Sequence, residues 1–493
     1  MPFLIIDGKE IEVKKGTTIL EAAKLAGIEI PYFCYHPGLK PAGTCRMCLV
    51  EISGNPKLQT ACTTEVQDGM VVNTNSPAVK KAREEVLSFL LYDHPLDCPI
   101  CDKAGECLLQ KNYNEHGSTE IPVKEEMIRR EKKVFISERL ILDRERCVLC
   151  TRCVRFLEEI TGTRELLVSK RGDNSEIDIF QGIPVNNLYS GNLVDICPVG
   201  AITDLDFRFK ARVWFLKEIP SVCPLCGRGC NIFIDVKGEF FPSLSKERIF
   251  RIRPRYSEIN KYWICDIGRY KLAELDKNRI ANPILLEPNG VREVSFEEAL
   301  ISFSHYFKEP DKVAILSSYH LTNEENQLIK MIFYDKMGIK NIGYTGFRDG
   351  KGDNILLVSD RNPNRKGVKK LWGDDIEKRT QEVFQLMRRG NFNFLLLIGD
   401  EVLEDENVFL SVRETFTVWI LSRYNELYHN VRVILPMRNF FEKEGTFTNI
   451  DGIDQSFSSA LPPFKNVPSL KDIISQISSL SGIKIEKELC ERS

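Results

Sequence analysis

Fifteen of the sixteen cysteines, together with one histidine, fall into four groups of four, and no other feature constrains this chain as much. Every group contains a Cys-x2-Cys pair and draws at least one more ligand from further along the chain. The groups are Cys34, Cys45, Cys48 and Cys62; His94, Cys98, Cys101 and Cys107; Cys147, Cys150, Cys153 and Cys197; and Cys223, Cys226, Cys230 and Cys265. Iron in iron–sulfur clusters is bound by soft thiolates, and such spacing suits it. The chain is therefore predicted to hold several one-electron centres.

Composition narrows the class of protein. The chain has 493 residues, of which 43% are apolar, which is enough for two to four globular domains. Its net charge of −2 does not point to nucleic acid or to an anionic membrane surface. The first residues lack the layout of a signal or transit peptide, and no apolar run approaches 18 residues. We expect a reducing cytoplasm, where cysteines are metal ligands rather than disulfides, and we expect Cys490 to be a free thiol.

Local signals predict the elements around the first two groups. Two β-runs flank Asp7-Gly8, which is a hairpin signal, and Thr18 and Glu21 form a capping box before a short helix that Gly27 ends. A hairpin, a helix and a cysteine loop resemble the β-grasp layout of plant-type [2Fe–2S] ferredoxins. Residues 76–125 are predicted to be mainly helical, because Ser76-Pro77 is a cap followed by a first-turn proline.

Downstream of Cys265, apolar strand-like runs alternate with helical patterns. The runs are KVAILSS (312–318), NIGYTG (341–346), FNFLLLIGD (392–400) and NVRVILPM (430–437). This alternation predicts a parallel, doubly wound sheet. The segment 347–378 is rich in Gly, Asp, Asn and Lys and is predicted to be a long surface connection. The last thirty residues are predicted to be a tail with one weak helix.

The first group favours a [2Fe–2S] cluster. Its loop, CYHPGLKPAGTCRMC, is rich in Gly and Pro, which let backbone N–H groups turn towards the sulfides. The alternative is a structural zinc site, but such sites usually show two Cys-x2-Cys pairs. Here one pair has a single cysteine on either side, which is the ferredoxin order.

The second group replaces one thiolate with His94. A histidine beside a proline is ordinarily a surface or capping residue, yet three suitably spaced cysteines follow it, so ligation of a [4Fe–4S] cluster is favoured. A neutral imidazole makes the cluster less negative and raises its potential. The other ring nitrogen then needs a hydrogen-bond acceptor.

The third group is a two-cluster ferredoxin module reduced to one [4Fe–4S] centre. Cys147, Cys150 and Cys153 begin a bacterial ferredoxin run, and Cys197-Pro198 ends a second one. All four ligands of the other cluster are absent, and their places are taken by Leu157, Asn187, Ser190 and Leu193. The fourth group also suits [4Fe–4S], although zinc competes more strongly there because the spacing is less distinctive.

These motifs resemble the large iron–sulfur subunit (the G subunit) of bacterial respiratory NADH:quinone oxidoreductase, complex I. The supporting stretches cover residues 1–270 and are PYFCYHPGLKPAGTCRMCLVE, HPLDCPICDKAGECLLQ, RCVLCTRCVRF, GNLVDICPVGAITD and CPLCGRGC. The fourth group matches an extra cluster that only some bacterial members carry. Downstream, FEKEGTFTNIDG (441–452) resembles part of the molybdopterin oxidoreductase fold.

The resemblance implies an α+β and α/β multidomain protein with one [2Fe–2S] and three [4Fe–4S] clusters. The implied domains are a β-grasp [2Fe–2S] domain (1–75), a helical domain with one histidine and three cysteine ligands (76–125), a ferredoxin-like single-cluster domain (126–215), a four-cysteine domain (216–275) and a reduced molybdopterin-oxidoreductase-like α/β domain (276–493). Active molybdenum enzymes of this fold commonly have a lysine two residues after the last cluster cysteine, where this chain has Ile267. No cysteine lies between 265 and 490 to bind the metal, so no molybdenum is expected.

By this resemblance the chain is an electron-relay subunit with no catalytic site of its own. The implied partners are the flavin-bearing, NADH-binding subunit, its small [2Fe–2S] partner and the other peripheral-arm subunits, with the membrane arm reached only indirectly and no nucleic acid. The implied location is the cytoplasmic side of the bacterial inner membrane. The alternatives are the catalytic subunit of an NAD-linked formate dehydrogenase, an iron-only hydrogenase and a zinc-stapled interaction protein.

Overall fold

The computed structural model describes residues 1–118, 127–238, 247–287, 290–402, 408, 412, 415–424 and 431–482. The chain divides into two compact units. The first comprises Met1–Leu216 and Gly238–Pro242, and the second comprises Lys217–Lys237 and Ser243–Ser493. Cys490 lies outside the described residues.

The first unit opens with a five-stranded mixed sheet in the order β2-β1-β5-β3-β4. Its elements are β1 (Phe3–Ile6), β2 (Lys9–Glu12), α1 (Ile19–Leu25), β3 (Leu49–Ile52), β4 (Gln59–Thr60) and β5 (Met70–Asn73). The predicted hairpin is confirmed, because β1 and β2 pair antiparallel around Asp7 and Gly8, which both have positive φ. The predicted capping box is also present, with Thr18 and Glu21 satisfying each other's backbone N–H groups before α1.

Two helices and three short strands follow, and they carry the second and third cysteine groups. They are α2 (Pro77–Tyr92), α3 (Leu108–His116), β6 (Val134–Phe135), β7 (Leu140–Leu142) and β10 (Ile202–Asp204), and the three strands form a sheet in the order β10-β7-β6. The predicted Ser76 cap is confirmed, because its hydroxyl accepts the Val79 N–H. The remaining elements are α4 (Arg152–Phe156), α5 (Asn192–Ile196) and the hairpin of β8 (Leu166–Ser169) and β9 (Glu176–Ile179).

The second unit begins with a three-stranded sheet and continues with a seven-stranded one. The first sheet contains β11 (Leu216–Val222), β12 (Asn231–Lys237) and β13 (Ile249–Pro254). The second has the order β15-β14-β20-β19-β18-β16-β17. Its strands are β14 (Ile284–Glu287), β15 (Gly290–Glu293), β16 (Val313–Ser318), β17 (Ile342–Thr345), β18 (Phe394–Ile398), β19 (Phe416–Leu421) and β20 (Val433–Pro436).

Five of these strands, β16 to β20, run parallel, and both faces of their sheet are covered. Alternate residues of β18 enter two different cores, with Leu396 in one and Leu397 in the other. The first core includes side chains of α6 (Phe296–Ser304), α7 (Asn323–Ile329), α8 (Arg365–Trp372) and α10 (Leu470–Leu480), whereas the second includes those of α9 (Ile376–Arg388). The prediction of a parallel, doubly wound sheet is confirmed in part: β16 to β20 are parallel with helices on both faces, but β14 pairs antiparallel with β15 and β20, so the sheet is mixed. The antiparallel pair of β21 (Gly445–Thr448) and β22 (Asp454–Phe457) completes the second unit's strands.

Two expectations for this unit are wrong. The segment 347–378 is more than a surface connection, because it contains α8 and buries Leu356, Leu357 and Val368. The C-terminal helix α10 is not weak either. Its apolar residues at helical spacing, such as Leu470 and Ile474, are fully packed in the core. Both expectations relied on the polar composition of the whole segment. A few apolar residues at the right spacing are enough to bury one face of a helix, even where the average composition is polar.

No helix in the described part of the chain is both long and apolar enough to cross a membrane.

Candidate iron–sulfur centres

Cys34, Cys45 and Cys48 of the first group lie in the loop between α1 and β3, and Cys62 follows β4. Cys34, Cys48 and Cys62 are buried, and Cys45 is half-buried. The backbone N–H groups of Phe33 and Cys34 donate to Cys45 Sγ at 3.4 Å. Hydrogen bonds with Cys45 and Cys62 lower the pKa of the Cys34 thiol, and the same contacts raise the pKa of Cys45 and Cys62. The four sulfurs therefore form one contiguous set, with backbone donors turned towards it as predicted.

The third group lines a single cavity in the first unit. The cavity is bounded by Cys147, Cys150, Cys153 and Cys197 together with apolar side chains such as Val148 and Ile202. Leu149 and Thr151, between the cysteines, have φ of 49° and 58°, and the Leu149 N–H donates to Cys147 Sγ at 3.4 Å. Burial raises the pKa of Cys150 to about 11. Burial in this pocket disfavours the thiolate forms of Cys147, Cys150 and Cys153 unless a metal compensates the charge.

The positions at which a second ferredoxin cluster would have its ligands hold other side chains. Leu157 and Leu193 are fully buried, and Ser190 is buried as well. Asn187 donates through Nδ2 to Glu165 Oε1 at 3.0 Å. Two of the four positions therefore belong to the apolar interior of this unit.

The second group is more open. Cys98 is exposed, Cys101 is buried and Cys107 is half-buried at the start of α3. Burial raises the pKa of Cys107 to about 11. His94 lies among charged side chains, and burial together with Arg146 lowers its pKa to about 4. A neutral imidazole is the form that ligates a metal.

A network of charges surrounds this histidine. Arg146 donates to Asp97 Oδ2 at 2.9 Å, and Lys132 donates to the same oxygen at 2.7 Å and to Glu145 Oε2 at 2.9 Å. Hydrogen bonds from Lys132 and Arg146 lower the pKa of Asp97, so its carboxylate stays ionised beside the imidazole.

The fourth group is fully buried and lies in the second unit. The Cys223 N–H donates to the Cys230 carbonyl at 2.8 Å, and the Gly268 N–H donates to Cys265 Sγ at 3.4 Å. Burial raises the pKa of Cys265 to about 11. The sequence stretch 441–452 supports this loop, because the Ile450 N–H donates to the Gly227 carbonyl at 2.7 Å.

Two glycines near the sulfurs were not anticipated from the sequence. A Cβ at Gly200 would stand 2.1 Å from Cys101 Sγ, and one at Gly268 would stand 3.3 Å from Cys223 Sγ and 3.7 Å from Cys265 Sγ. The only signal in the sequence is that each follows a predicted ligand cysteine by three residues. Both leave room beside sulfur, as close approach to a bound group requires.

Single metal ions and iron–sulfur clusters require different spacing of their ligands. Within the described ranges, no three His, Cys, Asp or Glu side chains are arranged to share one metal ion. One tetrahedral zinc ion with bonds of about 2.3 Å brings its sulfurs to about 3.8 Å from each other. Iron–sulfur clusters spread their thiolates over two or four iron atoms and require a wider arrangement. The buried thiols, inward N–H donors and sulfur-facing glycines fit such clusters.

The second unit also contains a small cavity at the carboxyl edge of its parallel sheet, where doubly wound folds bind ligands. Its lining includes His320 after β16, Asp400 and Glu401 after β18, and Pro224 from the fourth cysteine loop. His320 Nδ1 lies 3.6 Å from Glu401 Oε1, and burial lowers the pKa of the imidazole. No sequence signal points to this histidine, because strand order alone brings these residues together.

Family models match the segments that hold the first three cysteine groups. Family models match residues 4–77 (2Fe-2S iron-sulfur cluster binding domain), 83–122 (NADH-ubiquinone oxidoreductase-G iron-sulfur binding region), 137–203 (NADH-quinone oxidoreductase subunit 3, ferredoxin-like domain) and 358–480 (Molybdopterin oxidoreductase). The matches confirm that the chain combines iron–sulfur domains with a molybdopterin-oxidoreductase region in a mixed α/β architecture.

Curated relatives match over most of this chain. The NADH-quinone oxidoreductase G subunit of Rickettsia felis is 39% identical over 347 residues, covering 70% of this chain and 50% of that protein. Its namesake in Streptomyces coelicolor is 40% identical, covering 65% of this chain and 38% of that protein. NADH-quinone oxidoreductase subunit 3 of Thermus thermophilus is 38% identical, covering 66% and 45%. The chain thus spans about half the length of the relatives it matches, or less.

Among solved structures, a chain of the NAD+-reducing [NiFe]-hydrogenase in the H2-reduced state is 31% identical, with a TM-score of 0.40. The match covers 43% of this chain and 91% of that one.

Proposed function

Because this chain is a homologue of the NADH-quinone oxidoreductase G subunit, we propose that it is an electron-relay subunit of respiratory complex I. In this role it takes electrons from a flavin-bearing, NADH-oxidising partner and passes them towards quinone. Its partners are that subunit, its small [2Fe–2S] companion and other peripheral-arm subunits, and its place is the cytoplasmic side of the bacterial inner membrane. The catalytic site for NADH belongs to the partner.

A single observation carries this proposal. The first and third cysteine groups gather within one compact unit, in segments that match iron–sulfur family models. When bound, iron–sulfur clusters accept and donate single electrons at potentials that the surrounding protein tunes. What remains for this chain is to hold them, to exclude water and to fix their spacing.

We assign the ligands as the sequence predicted them. The [2Fe–2S] ligands are Cys34, Cys45, Cys48 and Cys62, and the [4Fe–4S] ligands are His94, Cys98, Cys101 and Cys107; Cys147, Cys150, Cys153 and Cys197; and Cys223, Cys226, Cys230 and Cys265. The domain boundaries that accompany them are 1–75, 76–125, 126–215, 216–275 and 276–493. The backbone donors at Cys45, Cys147 and Cys265 stabilise anionic sulfur.

The C-terminal α/β domain is proposed to act as a scaffold without molybdenum. The place of the cofactor-linking lysine is taken by Ile267. The cavity beside Pro224 is lined by His320, Asp400 and Glu401 and by no cysteine among the described residues. Position 267 therefore lacks the linking lysine, and the cavity lacks the thiolate that many molybdenum enzymes of this fold use.

Anaerobic purification followed by metal analysis and variable-temperature EPR tests the proposal. One two-iron and three four-iron clusters correspond to about 14 iron atoms per chain. An iron count near ten per chain, with one EPR signal missing, would mean that one cluster is absent, and the fourth group would be the first to be withdrawn from the assignment. A colourless protein that holds zinc would refute the relay function. Molybdenum together with formate oxidation would establish the formate dehydrogenase alternative instead.

A further inference from the structure

Two arginines of the third cysteine motif reach the loop of the first. Arg152 Nη1 donates to the Ile196 carbonyl at 2.9 Å, and its Nη2 donates to the Tyr35 carbonyl at 2.5 Å. Ile196 directly precedes Cys197, and Tyr35 directly follows Cys34. One guanidinium therefore ties a residue next to a third-group ligand to a residue next to a first-group ligand.

Arg155 makes a second connection of the same kind. Its Nη2 donates to the Cys34 carbonyl at 2.5 Å and to the Cys150 carbonyl at 3.4 Å, and its Nη1 donates to the Lys40 carbonyl at 2.5 Å. Both arginines lie on α4, one turn apart, so the helix presents a rigid fork to the first cysteine loop. The loop between Cys34 and Lys40 is held at both ends.

The charges of these side chains are not balanced by the groups they bind. Arg152 is 5% exposed, its hydrogen bonds go to neutral carbonyl oxygens, and its Nε has no hydrogen-bond partner in the described structure. No carboxylate forms an ion pair with Arg152 or Arg155 within the described ranges. Burying a cation without negative charge nearby is costly. The groups that do face Arg152 include the Tyr32 ring, the thiols of Cys150 and Cys197 in the third group, and the thiol of Cys34 in the first.

We propose that Arg152 and Arg155 are positioning residues that fix the spacing of the first and third centres and raise the reduction potentials of both. The inference rests on the proposed function, because it requires clusters at both cysteine groups. Reduction adds one negative charge to a centre, and a fixed cation favours that charge. Since the same guanidinium faces both groups, the two potentials shift together. When an electron passes between the two centres, the donor is oxidised and the acceptor is reduced. The guanidinium charge that both centres face stays the same.

The expected size follows from Coulomb's law. A unit charge about 12 Å from the added electron, in an effective dielectric of about 20, changes the ratio of reduced to oxidised centre about tenfold. For a one-electron couple, a tenfold change corresponds to about 59 mV. Arg152→Gln is expected to lower both potentials by this amount. Arg152→Lys keeps the charge and restores most of the shift, but it loses the planar fork.

The test is an EPR-monitored redox titration of the full chain, purified anaerobically, with hydrogen exchange of residues 35–40 as the second readout. Arg152→Gln and Arg155→Gln are expected to lower both potentials and to accelerate exchange in this loop. Arg152→Lys is expected to accelerate exchange with a smaller change in potential. The matched control is Arg164→Gln, because Arg164 is 72% exposed and pairs with Glu158 at 2.9 Å. It should change neither readout.

The outcomes separate this inference from the proposed function. If the wild-type chain holds no iron at the first and third groups, the proposed function fails. If both clusters are present and the Arg→Gln variants shift neither potential or only one, the inference alone is refuted. Unchanged exchange in the loop refutes the positioning role. Should Arg152→Gln not fold, Arg155→Gln supplies the same test, because Arg155 is only half-buried.

Discussion

Gly200→Ala should remove the second cluster while leaving the rest of the chain in place. A Cβ at this position would stand 2.1 Å from Cys101 Sγ, whereas ordinary contact begins at 3.4 Å. The sulfur would have to move by about 1.3 Å, from 2.1 to 3.4 Å, and overpacking of this kind typically costs about 1–3 kcal/mol. Because Gly200 has no positive φ, alanine meets no backbone strain there, and the sulfur contact is the whole effect.

A free-energy penalty of about 1.4 kcal/mol lowers an equilibrium constant about tenfold. We therefore expect the second site to lose most of its cluster during purification. Iron analysis should fall by about four atoms per chain, to near ten. In EPR, the signal of the His94 centre should weaken while those of the first and third groups persist.

Alanine variants at two further glycines serve as comparisons. At Gly182 a Cβ would meet nothing within 4 Å, but φ is +74°, so Gly182→Ala imposes backbone strain without sulfur contact and should keep all of its iron. At Gly268 the nearest sulfur would be 3.3 Å away, so Gly268→Ala should cause a milder loss, confined to the fourth site. Full iron content and an unchanged second-site signal in Gly200→Ala would refute the reasoning.

Three more predictions concern ligation, stability and its dependence on pH. His94→Cys exchanges a neutral imidazole for an anionic thiolate and should lower the potential of one cluster in a redox titration. The control is His305→Cys, in the second unit and outside every cysteine group. No shift in any cluster would contradict ligation by His94. Arg279 and Glu442 form a buried bidentate pair, with N–O distances of 2.7 and 2.8 Å. In denaturant titration, Arg279→Met should therefore lower the free energy of unfolding by about 3–5 kcal/mol. The control Arg292→Met, at the exposed pair with Glu298, should lower it by less than about 1 kcal/mol. Burial raises the pKa of Glu442, but the hydrogen bonds from Arg279 outweigh burial and leave it below its usual value of 4.5; the stabilisation is therefore present above pH 4.5 and lost as the pH falls through the lower, folded-state pKa. A pH-independent difference between wild type and Glu442→Gln below neutrality would contradict this sign.

The sequence by itself determined the features that depend on neighbours in the chain. The hairpin at Asp7-Gly8, the caps at Thr18 and Ser76 and the strand–helix alternation after residue 312 are local signals, and the structure confirms each of them. The grouping of the cysteines is likewise a matter of spacing, because a ligand loop and one distant thiolate are visible as a pattern. The family resemblance followed from the same motifs.

Tertiary structure decided which residues other than the predicted ligands stand next to the sulfurs and to the ligand loops. Gly200 faces Cys101 across 99 positions of sequence, and Arg152 contacts the carbonyl of Tyr35 across 117. The cavity around His320 exists because parallel strands align their carboxyl ends. Periodicity and composition describe a residue's neighbours within a turn or a strand, so they cannot show which distant backbone will approach it. The ligand groups are therefore a prediction from spacing alone, whereas the charges and spaces proposed to tune the clusters depend on long-range packing.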